Sequence, residues 1–180
     1  MFPELTKGSD FNIAMIHSIV MDMKPFKLPK MSSEEVSELL DRERICRIAF
    51  KGDDFPYMAP FQYVKMGDAL YFHFTDYGKK MRLLEKDRRV CIGFESLEPD
   101  LSEYSFVVVR GELEKVNEPR ERAEAIRRLA EMGQEGLSEN FLAAHGFPSE
   151  QGWETLSEDK PLVIFKLERV SDTIGLRSPA

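Results

Sequence analysis

The sequence predicts a mainly β fold: a small antiparallel barrel or sandwich of six strands with flanking α-helices. Three observations carry this. Runs rich in β-branched and aromatic residues recur at 45–50, 57–64, 69–74, 90–94 and 105–116, with a last one at 162–168; such runs, bounded by turn residues, read as strands. The connections Gly52-Asp-Asp54 and Met66-Gly-Asp68 are too short for the crossover that a parallel pair requires. At roughly 100–200 residues per domain, the 180 residues make one domain, and closing so small a sheet on itself removes its exposed edges.

The elements follow in order. Residues 1–30 lack a clear period, contain Pro3, Pro25 and Pro29, and read as an N-terminal extension to a domain spanning 31–180. Ser32-Ser-Glu-Glu35 has the spacing of a capping box, in which side chains at the first and fourth positions satisfy each other's backbone N–H. Val36, Leu39 and Leu40 then give a short helix one apolar stripe. In the segment 56–64, Pro56 and Pro60 restrict the strand to an edge or a bulge, because proline cannot donate to a ladder. A further helix is expected from about Gly78 or Lys79. Pro119 opens an amphipathic helix with Ala123, Ile126, Leu129, Ala130 and Met132 on one side, ending near Gly133, with acids in its first turns. Residues 134–160 are polar and glycine-containing and are expected to hold one or two short helices. The strand at 162–168 is followed by what reads as a polar tail.

Composition narrows the function. With 25 basic and 32 acidic residues the chain carries −7, and 42% hydrophobic with 32% charged residues is the balance of a folded globular protein. Nucleic acid is a poor partner for an acidic chain, since its phosphates call for a basic face. Cys46 and Cys91 stand far apart, outside any Cys-x-x-Cys spacing, so neither a disulfide framework nor a zinc site is indicated and a cytoplasmic location is expected. The apolar-leaning stretch 13–23 is interrupted by His17, Ser18 and Asp22 and falls short of the ~20 residues of a membrane span. His17 and His145 stand alone, no histidine pair has metal-ligand spacing, and no Gly-x-Ser-x-Gly elbow occurs. No metal is expected.

Against that background one segment stands out. Thr75-Asp-Tyr-Gly-Lys-Lys80 joins a strand to a helix, and from Lys79 to Arg89 six basic residues face two acidic ones, a window of +4 in an acidic chain. Taken alone, such a run is a solvated helix face. A strand-to-helix junction, however, offers free N–H groups and the positive end of a helix dipole, a site for phosphate. Gly78 allows close approach, Lys79 and Lys80 add charge-assisted bonds, and Thr75 adds a hydroxyl. Beside it, the proline-marked strand would leave backbone groups free to meet the edge of a flat heteroaromatic ring. Together they suit a phosphorylated aromatic cofactor.

The order Pro56-Tyr-Met-Ala-Pro60, Tyr63-Val64, Leu70-Tyr-Phe-His73, Gly78-Lys-Lys80, Arg88-Arg-Val90 and a strand ending in Gly111 resembles the FMN-binding split barrels related to pyridoxamine 5′-phosphate oxidase, nearest the branch of nitroimidazole-resistance proteins. The resemblance spans about 32–171. It implies a six-stranded antiparallel split β-barrel binding FMN at a two-fold interface of a homodimer. By position it implies that Pro60, Phe61, Gln62, Tyr63, Val64 and Lys65 line the isoalloxazine and ribityl region, that His73 and Phe74 flank ring or phosphate, and that Lys79 and Lys80 hold the phosphate. The strand 105–109, with Ser105 and Phe106, would reach the partner's flavin.

Two departures matter. Phe106 stands where close relatives tend to place a serine, with Ser105 displaced by one, and Trp153 precedes the last strand, so an oxidase-like C-terminal substrate segment is lacking. The expectation is therefore a flavin-dependent oxidoreductase for a small electron-poor molecule, nitroaromatic or quinone-like. The alternatives are a non-catalytic flavin-binding or storage module and a barrel that binds haem or a deazaflavin. No residue announces itself as a proton donor; His73 and Tyr63 are the first to test. Cys46 and Cys91 read as small buried hydrophobes.

Overall fold

The capping box at Ser32 forms as its spacing predicts: the Glu35 N–H donates to Ser32 Oγ at 3.2 Å and the Ser32 N–H to Glu35 Oε2 at 2.7 Å. It opens α1 (Ser33–Arg42), whose Leu39 is fully buried. The computed structural model describes residues 27–144, 152, 153, 156 and 162–179. After α1 come β1 (Ile45–Phe50), β2 (Tyr57–Met66), β3 (Ala69–Thr75), α2 (Lys79–Lys86), β4 (Arg89–Leu97), β5 (Tyr104–Lys115), α3 (Pro119–Gly136), α4 (Glu139–Ala144) and β6 (Leu162–Arg177). The strands close an antiparallel barrel in the order β1-β2-β3-β6-β5-β4.

Strand alternation sorts the side chains. Phe50, Phe61, Tyr63, Phe72, Phe74 and Phe94 point inward and fill the barrel. On the outer face, Val64, Tyr71 and Ile164 pack beneath α3 through Ala125, Ile126 and Leu129. The amphipathic stripe of α3 is thus the cover for β2, β3 and the start of β6. Its N-terminus is moored by Tyr71, whose hydroxyl donates to Glu121 Oε1 at 2.6 Å; this bond holds the Glu121 carboxyl below its usual range.

Three elements depart from the sequence reading. α3 runs through Gly133 to Gly136, and Gly133 serves packing and not termination: a Cβ on it would lie 2.1 Å from the ring of Trp153. Trp153 is therefore a packing residue of the helix. β6 extends sixteen residues, well past 168, so the supposed polar tail is strand. Its register shifts opposite Arg110 and Glu112, and Arg169 adopts a left-handed φ of 48°. This bulge breaks the period-2 pattern by which a strand is recognised. Cys46 is buried, but Cys91 faces outward and is only partly covered.

Of the extension, residues 1–26 lie outside the described residues, as do His17 and His145. Residues 29–31 join the domain: Pro29 O accepts from the Arg177 N–H and the Met31 N–H donates to Gly175 O, both at 3.0 Å. No helix among the described residues is long and apolar enough to cross a membrane.

Candidate functional site

Two ladders define the place where the barrel parts. Residues Tyr63 to Met66 of β2 pair with Ala69 to Phe72 of β3. Beyond Tyr63, the stretch from Gln62 back to Tyr57 pairs with β1 alone, while His73, Phe74 and Thr75 pair with β6 alone. A seam therefore opens between the outer halves of β2 and β3. Tyr63 directs its N–H towards Arg44 on the β1 side, so by alternation the even-numbered residues Met58, Pro60 and Gln62 turn their backbone groups to the seam. Pro60 lies where its missing N–H deprives no ladder of a donor. The two prolines thus mark a free strand edge, as the sequence predicts.

The cationic turn stands at the mouth of this seam. Gly78 has a φ of 99° and caps α2 without any side-chain bond; a Cβ there would meet no atom within 4 Å. Its conformation is one that glycine adopts without strain, and the first-turn N–H groups of α2 have no side-chain oxygen in front of them. Lys80 leans over two stacked rings, with Nζ 5.8 Å from the Phe61 centroid and 5.9 Å from that of Phe74, the rings themselves 4.6 Å apart. Lys79 sits 5.0 Å above the ring of Tyr57. Among the described residues neither lysine forms an ion pair. Burial pushes the Lys80 ammonium below its ordinary value, since water is stripped from it without a carboxylate in return. Thr75 Oγ1 donates to Tyr77 O at 3.2 Å and shapes the turn.

The remaining candidates separate. Gln62 and Val64 are covered by α3: Gln62 Nε2 donates to Leu129 O at 2.7 Å, and its Oε1 is buried without a partner. His73 is buried on the face opposite to Phe74, so the two cannot flank one group from the same side of β3. Tyr63 points inward and donates its hydroxyl to Leu40 O at 2.9 Å; burial pushes its phenol up, which makes it a poor proton donor. Lys65 is held by Ser37 Oγ at 2.7 Å and Asp41 Oδ2 at 2.8 Å. Ser105 and Phe106 lie on β5, which has no ladder with β2 or β3. Within one protomer the structure gathers Pro60, Phe61, Phe74, Thr75, Gly78, Lys79 and Lys80, and of Gln62 only the backbone; the others of the predicted set stand apart.

Sequence reasoning missed the apolar surround of this turn. Phe55, Met58 and Tyr77 are 81%, 62% and 69% exposed, and Tyr57 lies under Lys79. The signal is present in the Phe55-Pro-Tyr-Met58 run entering β2, whose prolines and strand are read in the sequence and whose exposed apolar side chains are not.

The sequence profile of the family described as pyridoxamine 5′-phosphate oxidase matches residues 32–160. No curated protein matches the chain. Among solved structures, an FAD-binding protein from Mesorhizobium loti is 19% identical, with a TM-score of 0.63 over 86% of this chain and 100% of that one. A putative 5-nitroimidazole antibiotic resistance protein from Bacteroides thetaiotaomicron is 18% identical, with a TM-score of 0.58 over 87% and 93%. An FAD and heme binding protein from Mycobacterium smegmatis is 15% identical, with a TM-score of 0.60 over 83% and 72%. At such identities the likeness is one of fold.

Proposed function

Because the chain belongs to the pyridoxamine 5′-phosphate oxidase family, we propose that it binds a flavin, FMN, with the phosphate at the Gly78-Lys79-Lys80 turn and the ring edge along the free side of β2. The observation that carries this reading is Lys80: a partly buried cation, unpaired among the described residues, beside a strand edge without a ladder partner. Each half of the site suits one half of the cofactor. The turn offers two ammonium groups and open N–H groups to a phosphate dianion. The seam offers the N–H of Gln62 and the C=O of Pro60 to a heterocycle that carries both donors and acceptors on its rim.

Bound there, the flavin would supply electron transfer to an acceptor, and the protein's part is to bind, orient and exclude water. Lys80 holds the phosphate and does no redox chemistry. Exposed Met58 and Pro60 give the ring an apolar edge on which to lie. The acceptor we favour is a small electron-poor molecule, nitroaromatic or quinone-like; the Bacteroides neighbour, described as a putative nitroimidazole resistance protein, supports that class.

A second copy of the chain completes the proposed site. On the outer face of β4, β5 and β6, Gly93, Val108 and Ile174 form one cross-strand row and Phe106 with Leu176 the next. Ile174 is 40% exposed. The ion pairs Arg47–Glu95 and Arg110–Asp172 border this apolar strip, with both signs present, as a self-complementary two-fold contact requires. A homodimer through this strip is how Phe106 would come near the partner's seam.

The absorption spectrum of the purified protein tests the cofactor. The expected result is a yellow protein that releases FMN on denaturation and elutes as a dimer in gel filtration. Released FAD would overturn the choice of FMN, a Soret band would favour haem, and a colourless protein that does not take up FMN would remove the reading. Steady-state oxidation of a nicotinamide nucleotide with a nitroaromatic acceptor is expected of the reductase; its absence with FMN bound would leave the storage module.

A further inference from the structure

Away from the seam, a cleft of about 380 Å³ opens on the outer face of β1, β4 and β5, where β6 bulges. Ala49 and Cys91 keep its floor low. Gly111 lets β6 close up beside them, because a Cβ there would lie 2.8 Å from Glu168 O and 3.0 Å from the Leu167 side chain. Around the floor stand Lys51, just past the end of β1, Arg89 of β4, Arg110 of β5 and Arg169 of β6, four cations from four places in the chain.

Two features set the cleft apart from an ordinary charged surface. The first is backbone strain. Arg169 holds a φ of 48°, a left-handed conformation that a bulky residue adopts only at a cost, and bulges of this kind re-aim a side chain. Here the side chain is brought to the rim of the cleft. The second is the charge count. Lys51 and Arg89 share a single carboxylate, Asp87, at 3.3 and 2.6 Å. Arg110 has Asp172 at 3.2 Å and Arg169 has Glu112 at 2.6 Å. Glu114 lies 3.7 Å from Arg169 but is also engaged by Arg88. Five cations thus meet four carboxylates, an excess of positive charge on a chain of net −7.

We propose that this cleft is a binding site for a phosphate monoester with a flat, weakly polar body, of mononucleotide size. Guanidinium forks match the oxygens of a phosphate in paired bonds, and three arginines converge on this rim. The small floor residues accept a flat body, and the volume falls within the roughly 300–1,000 Å³ usual for small-ligand sites. The site lies outside the seam and stands without the flavin reading.

The test is calorimetric titration of the full-length protein with adenosine 5′-monophosphate and, separately, with adenosine, each with and without excess FMN. Expected is saturable binding of the nucleotide, none of the nucleoside, and no competition by FMN. Arg169→Gly removes the guanidinium while giving the left-handed position a residue at home there, so the fold is kept. Losing a charge-assisted contact of about 1.5–3 kcal/mol should weaken the nucleotide roughly ten- to hundredfold. Arg110→Ala should do the same. The proposal is overturned if nucleotide and nucleoside bind alike, if neither binds at millimolar concentration, or if both variants bind as the parent does. It is equally overturned if Lys80→Ala, rather than Arg169→Gly, abolishes binding, since the phosphate would then belong to the seam.

Discussion

Lys65 and Lys80 stand near opposite ends of one strand, and the sequence offers both as cofactor contacts. The fold treats them differently. Lys65, 16% exposed at its side chain, is satisfied from within the chain by Asp41 at 2.8 Å and Ser37 at 2.7 Å on α1. Lys80 is given two aromatic rings and, among the described residues, no carboxylate. Lys65, already paired, would gain little from a ligand, because the ligand must displace its partners or share their one ammonium. Lys80, desolvated without a partner, gains the interaction that folding withheld. The comparison teaches that, of two lysines, the one its own protein leaves unpaired is the one placed to hold an anion, whereas an arginine with five donors keeps some free beside a carboxylate.

The largest effect is expected from the aromatic platform. Phe61 is buried, stacked on Phe74 at 4.6 Å and packed near Phe50 at 5.9 Å. Phe61→Ala should cost about 3–5 kcal/mol of stability, the usual range for a buried phenylalanine replaced by alanine. Denaturant unfolding measures it. A loss well under ~1 kcal/mol would mean that the seam end of the barrel is not packed, and Lys80 would then be a solvated lysine like any other.

Next in size is the contrast of the two lysines. Lys80→Ala should weaken FMN by roughly ten- to hundredfold, the loss of one charge-assisted contact. Lys65→Ala should leave FMN affinity nearly unchanged and cost about 0.2–1 kcal/mol of stability, because its partner Asp41 is largely exposed and such pairs are screened. Fluorescence titration of FMN against each variant reads the difference. Equal losses from both would end the distinction drawn here and return Lys65 to the cofactor, as the family resemblance first implied.

Much of this site was legible before folding was considered. The prolines at 56 and 60 announce a strand edge because a missing N–H is a local fact. Gly78-Lys79-Lys80 announces a turn and two charges for the same kind of reason. What was illegible depends on distant partners. Nothing near Lys65 in sequence says that Ser37 and Asp41, on a helix more than twenty positions earlier, will consume it. Strand alternation alone says that His73 and Phe74 face opposite ways, yet a contact inferred by position with a family does not carry that geometry. The second half of β6 was lost because its bulge shifts the side-chain period, and the basic cleft was lost because three strands and the residue after β1 each lend it a single cation.

The smallest and sharpest test is in pH. Burial holds Lys80 below its ordinary value of 10.5, whereas in the unfolded chain it keeps that value. Between the lowered value and 10.5 the unfolded state holds more protons, so this residue makes the free protein gain stability as pH rises there. Flavin binding runs the other way. A phosphate beside the ammonium raises its affinity for the proton, so binding takes up a proton once the free lysine has begun to lose it. FMN affinity should therefore fall as pH climbs through the lowered value. Since Lys80 is only partly buried, the slope will be shallow. Lys80→Arg keeps a charge across the whole range and should flatten this component without abolishing binding, and the difference between the two profiles isolates the lysine from any ionisation of the flavin. Parallel profiles for parent and arginine variant would show that the ammonium does not face the phosphate, and the seam would lose the group that distinguishes it from the end of the barrel where Lys65 is tied down.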